Sequence, residues 1–361
     1  MKVARLYSAT DIRVEDIERP VPGPGQALVR TRACGICTGD IMGWYLERRA
    51  PLVFGHEPAG DIIALGEGAA DVVATDPDGS VRAAGYAVGD RVFVHHHAPC
   101  GVCRQCRRGR HVHCATWRRT NLVPGGMAEF FLVGAENLAT DTLRLPDTMS
   151  YAAASLVEPA ACAVKSLRRA DLIRGDTMLV VGLGIMGMLH VVLGKAAGLR
   201  VVGADLVDFR LRRALELGAD DVIDVRRTTL ADGMLAMGSG EKADAVICGP
   251  GSIEAMEASI EAVAPGGRVV LFTTSKPADV LPVKPYRIYF DEISIVPSYS
   301  CGPDDTRAAF DAIESGVIRE QDLITHRFGL ASIREAFDKA AQVEEALKTI
   351  VEFDASGERR A

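Results

Sequence analysis

Apolar and polar positions change rhythm twice along the chain. Up to about residue 150, short β-like runs recur: "ALVRTRA" (27–33), "AGDIIALG" (59–66), "DRVFVHHH" (90–97) and "AEFFLV" (128–133). Turn residues part them, as in "RPVPGPGQ" (19–26) and "DPDGS" (76–80), which predicts an irregular β domain. From Tyr151, the Ala-rich "YAAASLVEPAACAVKSLRRA" predicts a helix. Apolar strands then alternate with helical stretches: "TMLVVG" (177–182), "RVVGAD" (200–205), "DVIDV" (221–225), "DAVICG" (244–249) and "GRVVLFT" (267–273). Strands spaced by helices predict an α/β fold with a parallel, doubly wound sheet. After "SIVPSYS" (294–300) the pattern is mixed again, and "IREAFDKAAQVEEAL" (333–347) predicts a closing helix. The chain thus divides into an irregular β domain, 1–155 with 297–361, and a domain inserted into it, 156–296.

Composition narrows the function. A chain of 361 residues is too long for one compact core. Its net charge of −7 disfavours broad nucleic-acid or anionic-membrane binding. No apolar run is long enough to span a bilayer, and "MKVARLYSATDIRVED" lacks the apolar region of a signal peptide. The expectation is a cytoplasmic protein acting on a small molecule. In a reducing compartment its nine cysteines are metal ligands or buried small residues rather than disulfides.

"LVVGLGIMGMLH" sets Gly182, Gly184 and Gly187 in G-x-G-x-x-G order, after an apolar strand and at the start of a helical run. In that context the first glycine turns the chain, the second admits a pyrophosphate and the third packs helix on strand. Ile185 and Met186, at the helix N-terminus, offer backbone amides to the pyrophosphate. Asp205 ends the next strand; a carboxylate there accepts ribose hydroxyls and repels a 2′-phosphate, favouring NAD over NADP. Arg210 is placed to contact the adenosine.

"PCGVCRQCRRGRHVHC" spaces Cys100, Cys103, Cys106 and Cys114 as C-x2-C-x2-C-x7-C. Four thiolates with no open position make a structural Zn2+ site, with Fe–S ligation as its rival. The arginines among them, Arg104, Arg107, Arg108 and Arg110, are expected on a solvated face.

Taken together, "GIC-x-x-D" (35–40), "GHE" (55–57), the four-cysteine lobe, "EP" (158–159), the glycine turn and "LITHRF" (323–328) resemble the zinc-containing medium-chain dehydrogenases, in particular the sorbitol and threonine dehydrogenase branch. The resemblance implies a GroES-like catalytic domain, an inserted Rossmann domain, and two Zn2+ per chain, one catalytic and one structural. It selects Cys37, His56, Glu57 and Glu158 around the catalytic Zn2+, and a homodimer or homotetramer as the assembly. Cys34 then becomes a packing residue, and Cys162, one helical turn from Glu158, belongs to the core. The implied reaction is hydride transfer between NAD and a secondary alcohol or ketone: a polyol, sugar, cyclitol or hydroxy-amino compound. The alternatives are an NAD(P)H-dependent carbonyl reductase on the same scaffold and a non-catalytic zinc and NAD sensor.

The sequence departs from the family where the proton leaves. The family's relay positions are occupied by Gly39 and Met42, neither of which transfers a proton. Thr38, one place early, is the candidate hydroxyl, with Tyr45, Glu57 and an ordered water behind it; its bland role is to cap the following helix. His95, His96 and His97 close a predicted strand. Neighbours on a strand point to opposite faces, so the three cannot share one ion; packing or surface roles are expected of them, with one as a candidate to line the cleft or hydrogen-bond a zinc ligand.

Overall fold

The computed structural model describes residues 1–8, 10–46, 49–75, 81–237 and 240–353. The expected turn at 76–80 lies outside them.

Six parallel strands form the inserted sheet, in the order Asp221–Asp224, Arg200–Asp205, Thr177–Val181, Ala243–Cys248, Val263–Leu271, Ser294–Pro297. Numbered along the chain this is 3-2-1-4-5-6, the doubly wound order. Both faces are covered by helices, so the strands are apolar without alternation: Met178, Leu179, Val180 and Val181 are all buried. The order reverses between Thr177–Val181 and Ala243–Cys248, and the crevice above that point is where such sheets take ligands.

The second large sheet is built on the strand Ala27–Gly35. Its path runs Thr142–Arg144, Arg91–Val94, Pro58–Leu65, Ala27–Gly35, Lys348–Glu352, Ile324–Gly329, with Phe130–Val133 also on Ala27–Gly35. The last strand of the chain therefore lies beside an early one, pairing Ile350 with Gly35 and Val351 with Cys34. A smaller sheet joins Lys2–Ser8, Asp11–Asp16 and Leu52–Val53.

One core cluster unites Ala59 and Phe93 of the antiparallel sheet, Ala160 and Ala161 of the helix Val157–Ala170, and Met178 and Met188 of the inserted part. That helix is the seam between the two halves. The single helix expected over 151–170 is two, Tyr151–Ala154 and Val157–Ala170. Pro159 explains the break: it has no N–H for the Ser155 carbonyl four residues back, and its ring is tolerated only in a first turn. The break aims Glu158, in the first turn of the second helix, into the seam. The closing helix stops at Ala340, short of the expected 347, because the chain turns there into the strand Lys348–Glu352; sheet pairing overrides local propensity.

Candidate active site

Cys37 follows the strand Ala27–Gly35 and caps the short 3-10 helix Thr38–Ile41. The Gly39 amide donates to Cys37 Sγ at 3.3 Å, and the Cys37 amide donates to Asp40 Oδ2 at 3.1 Å. Thr38 is thus the first residue of the turn rather than its cap, and it is exposed. Buried Asp40 also faces His56 Nδ1 at 3.7 Å, so one carboxylate orients both halves of the "CTGD" and "GHE" motifs. Burial would lower the His56 imidazole pKa, but the Asp40 and Cys37 charges outweigh it and raise it. Cys37, His56 and Glu57 each place a donor atom within 4.8 Å of the other two.

Behind them lies a buried ion pair. Glu57 and Lys348 are fully enclosed, and their charged ends meet. Lys348 Nζ also donates to the Ile36 carbonyl at 3.0 Å. Burial disfavours its charge, yet the Glu57 carboxylate holds its pKa above the usual value. Gly35 makes room: a Cβ there would overlap Glu57 Oε2 and crowd Lys348 Cε. Glu57 Oε1 has no hydrogen-bond partner among the described residues, an orphan that a cation would satisfy. Soft thiolate, imidazole and carboxylate donors fit Zn2+ with a position left open.

Glu158 is not within 4.8 Å of all three. It groups instead with His95 and His96, and with Cys162 and Cys301. One expectation changes here. The strand ends at Val94, so strand alternation no longer governs the histidines, and His95 and His96 both reach Glu158. Cys162, half-buried, packs against the core as expected, and its thiol also donates to Glu158 Oε1 at 3.6 Å. His97 keeps a packing role, stacked 4.0 Å from Trp117. Cys34 is buried in the core as expected.

The four-cysteine lobe closes as its spacing predicts. All four sulfurs lie within 4.8 Å of one another, with Cys103 to Cys106 at 3.5 Å and Cys100 to Cys106 at 4.0 Å. Those spacings suit a tetrahedron of thiolates about 2.3 Å from one ion. Burial works against the Cys114 thiolate, but amide donors led by Cys100 pull its pKa down to about 6. The four arginines of the lobe are exposed.

In the inserted domain, Gly182 turns at φ +85°, and a Cβ on Gly187 would overlap the Gly182 carbonyl. The helix Ile185–Ala196 starts there, with Gly184 as its cap. Asp205 is not a free ribose acceptor: its oxygens take the amides of Leu183 (2.7 Å), Leu206 (2.7 Å) and Val207 (2.9 Å). It locks the glycine turn while keeping its charge there. Arg210 lies 3.8 Å from Asp205 Oδ2, and its Nε has no partner among the described residues. The cleft between the halves has a volume of about 420 Å³ and is lined by Met42 and Trp44 on one side and Gly251, Ser252, Ile253 and Thr274 on the other.

Sequence reasoning missed Lys348, Cys301 and the reach of His95 and His96. Lys348 left one signal, a lone charge in the apolar run "LKTIV". Cys301 left none.

Comparison with known proteins agrees with this layout. Residues 23–147 match the alcohol dehydrogenase GroES-like domain, and residues 184–315 match the zinc-binding dehydrogenase family. The chain is 29% identical to sorbitol dehydrogenase of Bombyx mori, over 93% of this chain and 94% of that one. It is 27% identical to L-threonine 3-dehydrogenase of Pectobacterium carotovorum, over 98% of each. Among solved structures, an alcohol dehydrogenase of Escherichia coli CFT073 complexed with NADH superposes with a TM-score of 0.84 at 26% identity, covering 98% of this chain and 99% of that one. A protein of Sinorhizobium meliloti 1021 bound to NADP gives 0.82 at 27%, covering 97% and 98%.

Proposed function

The chain belongs to the zinc-containing medium-chain dehydrogenases, and from that premise we propose that it oxidises a secondary alcohol with NAD. The substrate class is a polyol, sugar, cyclitol or hydroxy-amino compound, supported by the sorbitol and threonine dehydrogenase relatives. The observation that carries the reading is the convergence of Cys37, His56 and Glu57, with Met42 and Trp44, five and seven residues after Cys37, lining the cleft that faces the nucleotide-binding half.

Cys37, His56 and Glu57 would hold the catalytic Zn2+, with Glu158 beside them; Cys100, Cys103, Cys106 and Cys114 would hold the structural one. When bound, the catalytic ion supplies Lewis acidity to the substrate oxygen. The protein's own residues do the rest. Asp40 orients Cys37 and His56. Lys348 neutralises Glu57, so that the buried carboxylate is tolerated there. Thr38, exposed next to Cys37, takes the alcohol proton out to water. The amides of Ile185 and Met186 receive the pyrophosphate at the helix N-terminus. The fixed charge of Asp205 opposes a 2′-phosphate, which favours NAD over NADP.

Two further assignments accompany this. The inserted domain is 156–296 with 1–155 and 297–361 around it, a division supported by the six-stranded parallel sheet, which ends on Ser294–Pro297. Assembly as a homodimer or homotetramer is supported by the edge position of Ser294–Pro297 and the exposed Tyr286, Tyr289 and Phe290 nearby. No helix among the described residues is long and apolar enough to cross a membrane, and all nine cysteines are free, which suits a reducing cytoplasm.

The test is a pair of variants. Cys37→Ser and His56→Ala are expected to bind NAD within about twofold of wild type by nucleotide fluorescence, because the glycine turn is remote from them in the sequence and fold, and to lose alcohol-dependent NADH formation. Undiminished turnover in both would overturn the assignment.

A further inference from the structure

The donors around Glu158 form a second set that the proposed reaction does not use. Cys162 lies one helical turn after Glu158, and its Sγ is 3.6 Å from Glu158 Oε1. Cys301, completely buried at the far side of the seam, has its Sγ 3.5 Å from His95 Nε2. Glu158, Cys162 and Cys301 place one donor each within 4.8 Å of one another, and His95 with Glu158 meets the same limit. The two sulfurs lie within 4.8 Å of each other. Around a tetrahedral ion with Zn–S of about 2.3 Å and Zn–N of about 2.0 Å, neighbouring donors stand about 3.3–3.8 Å apart. The 3.5 and 3.6 Å separations match two edges of that tetrahedron; the four donors do not all lie within 4.8 Å of one another, so His95 completes the set by closing on the two sulfurs.

The histidine is prepared for this role. His95 Nδ1 donates to Asp141 Oδ2 at 2.7 Å, and Asp141 also accepts from the Thr306 hydroxyl. The His95 carbonyl accepts from Asn137 Nδ2 at 2.8 Å. His95 and Asp141 are at most 1% exposed. A carboxylate holding one ring nitrogen fixes the tautomer and turns the other nitrogen's lone pair outward, as metal-ligating histidines require. Here that nitrogen faces Cys301.

We propose that Glu158, Cys162, Cys301 and His95 bind a second, thiophilic divalent cation of the Zn2+ class, adjacent to the Cys37–His56–Glu57 site. Two sulfurs, one imidazole and one carboxylate suit Zn2+ and exclude Mg2+ and Ca2+, which take oxygen donors. The ion brings two positive charges and displaces two thiol protons, so the net charge of the seam is unchanged. This inference meets the proposed function only at Glu158.

The experiment counts zinc by elemental analysis in wild type, Cys162→Ser and Cys301→Ser, each saturated with Zn2+ and desalted. Cys37→Ser is run beside them. Either thiol substitution is expected to remove one ion per chain. With Co2+ as probe, the same variants lose part of the near-ultraviolet thiolate-to-cobalt absorption, the rest remaining from Cys37 and the four-cysteine lobe. Asp141→Asn keeps every donor atom and guards against a folding artefact; it is expected to weaken that ion's affinity by about 10–100-fold. An ion count and cobalt spectrum unchanged by both thiol substitutions would overturn the proposal. If Cys37→Ser alone keeps its full count, the primary metal site fails and this one stands.

Discussion

Lys348 is 1% exposed and is followed in its strand by Thr349, Ile350 and Val351, all buried. Its ammonium is tolerated because Glu57 and the Ile36 carbonyl receive it. Removing one member of such a pair leaves the other charge buried. Lys348→Met is therefore expected to destabilise the protein by about 3–5 kcal/mol in denaturant unfolding, and adding Glu57→Gln should recover part of that loss. If the single variant unfolds like wild type, the pair is not what holds Glu57. His190 gives a pH prediction. It is buried, donates from Nδ1 to the Met186 carbonyl at 2.6 Å and meets Ser166 at Nε2. Burial pushes its pKa down to about 4. Between pH 6.5 and 4 the unfolded chain binds a proton that the folded one refuses, so stability falls as pH drops through that window, by about 3 kcal/mol in all. His190→Gln should flatten that part of the stability–pH curve; an unchanged slope would assign it to other groups. The grouping of the four lobe cysteines was legible from local spacing, and that of Cys37 with His56 from the resemblance of their motifs. Lys348 and Cys301 were not, because Lys348 meets the Ile36 carbonyl 312 positions away and Cys301 meets His95 206 positions away, and only the fold brings them together.

At the scale of elements, the four-cysteine lobe is the clearest unit. Cys100, Cys103, Cys106 and Cys114 form their own small core with Val112 and Trp117, too little apolar surface to hold a loop without a metal. Chelation, or Cys103→Ser, is expected to open the lobe to trypsin at its exposed arginines while nucleotide binding persists. Equal cleavage rates with and without zinc would show that packing alone suffices. Sequence periodicity found the strands of the inserted sheet, since each is a continuous apolar run, and it found the glycine turn. It did not see the helix break at Ser155, although Pro159 was there to signal it. Nor did it see the end of the strand at Val94, where the chain leaves the sheet to enter the lobe. That one early ending releases the three histidines from alternation and carries His95 and His96 to Glu158.

For the whole molecule, the C-terminal strand Lys348–Glu352 matters more than its length suggests. By pairing with Ala27–Gly35 it returns the chain to the domain it left, delivers Lys348 behind Glu57 and fixes the cleft between the halves. The rhythm of the sequence changes near residues 155 and 297, and the helix Pro303–Glu314 packs on the seam helix Val157–Ala170. What no pattern in the sequence carries is the shape of the substrate pocket, which is assembled from residues of both halves. The central claim is that the metal site and the nucleotide site act together on an alcohol. It is tested most directly by mixing the protein with NAD and a panel of polyols, cyclitols and hydroxy-amino compounds, and following reduced nicotinamide by absorbance. The account predicts NADH formation with at least one of them, lost on chelation and restored by Zn2+. Tight NAD binding with no turnover of any alcohol, or turnover indifferent to the chelator, would contradict it.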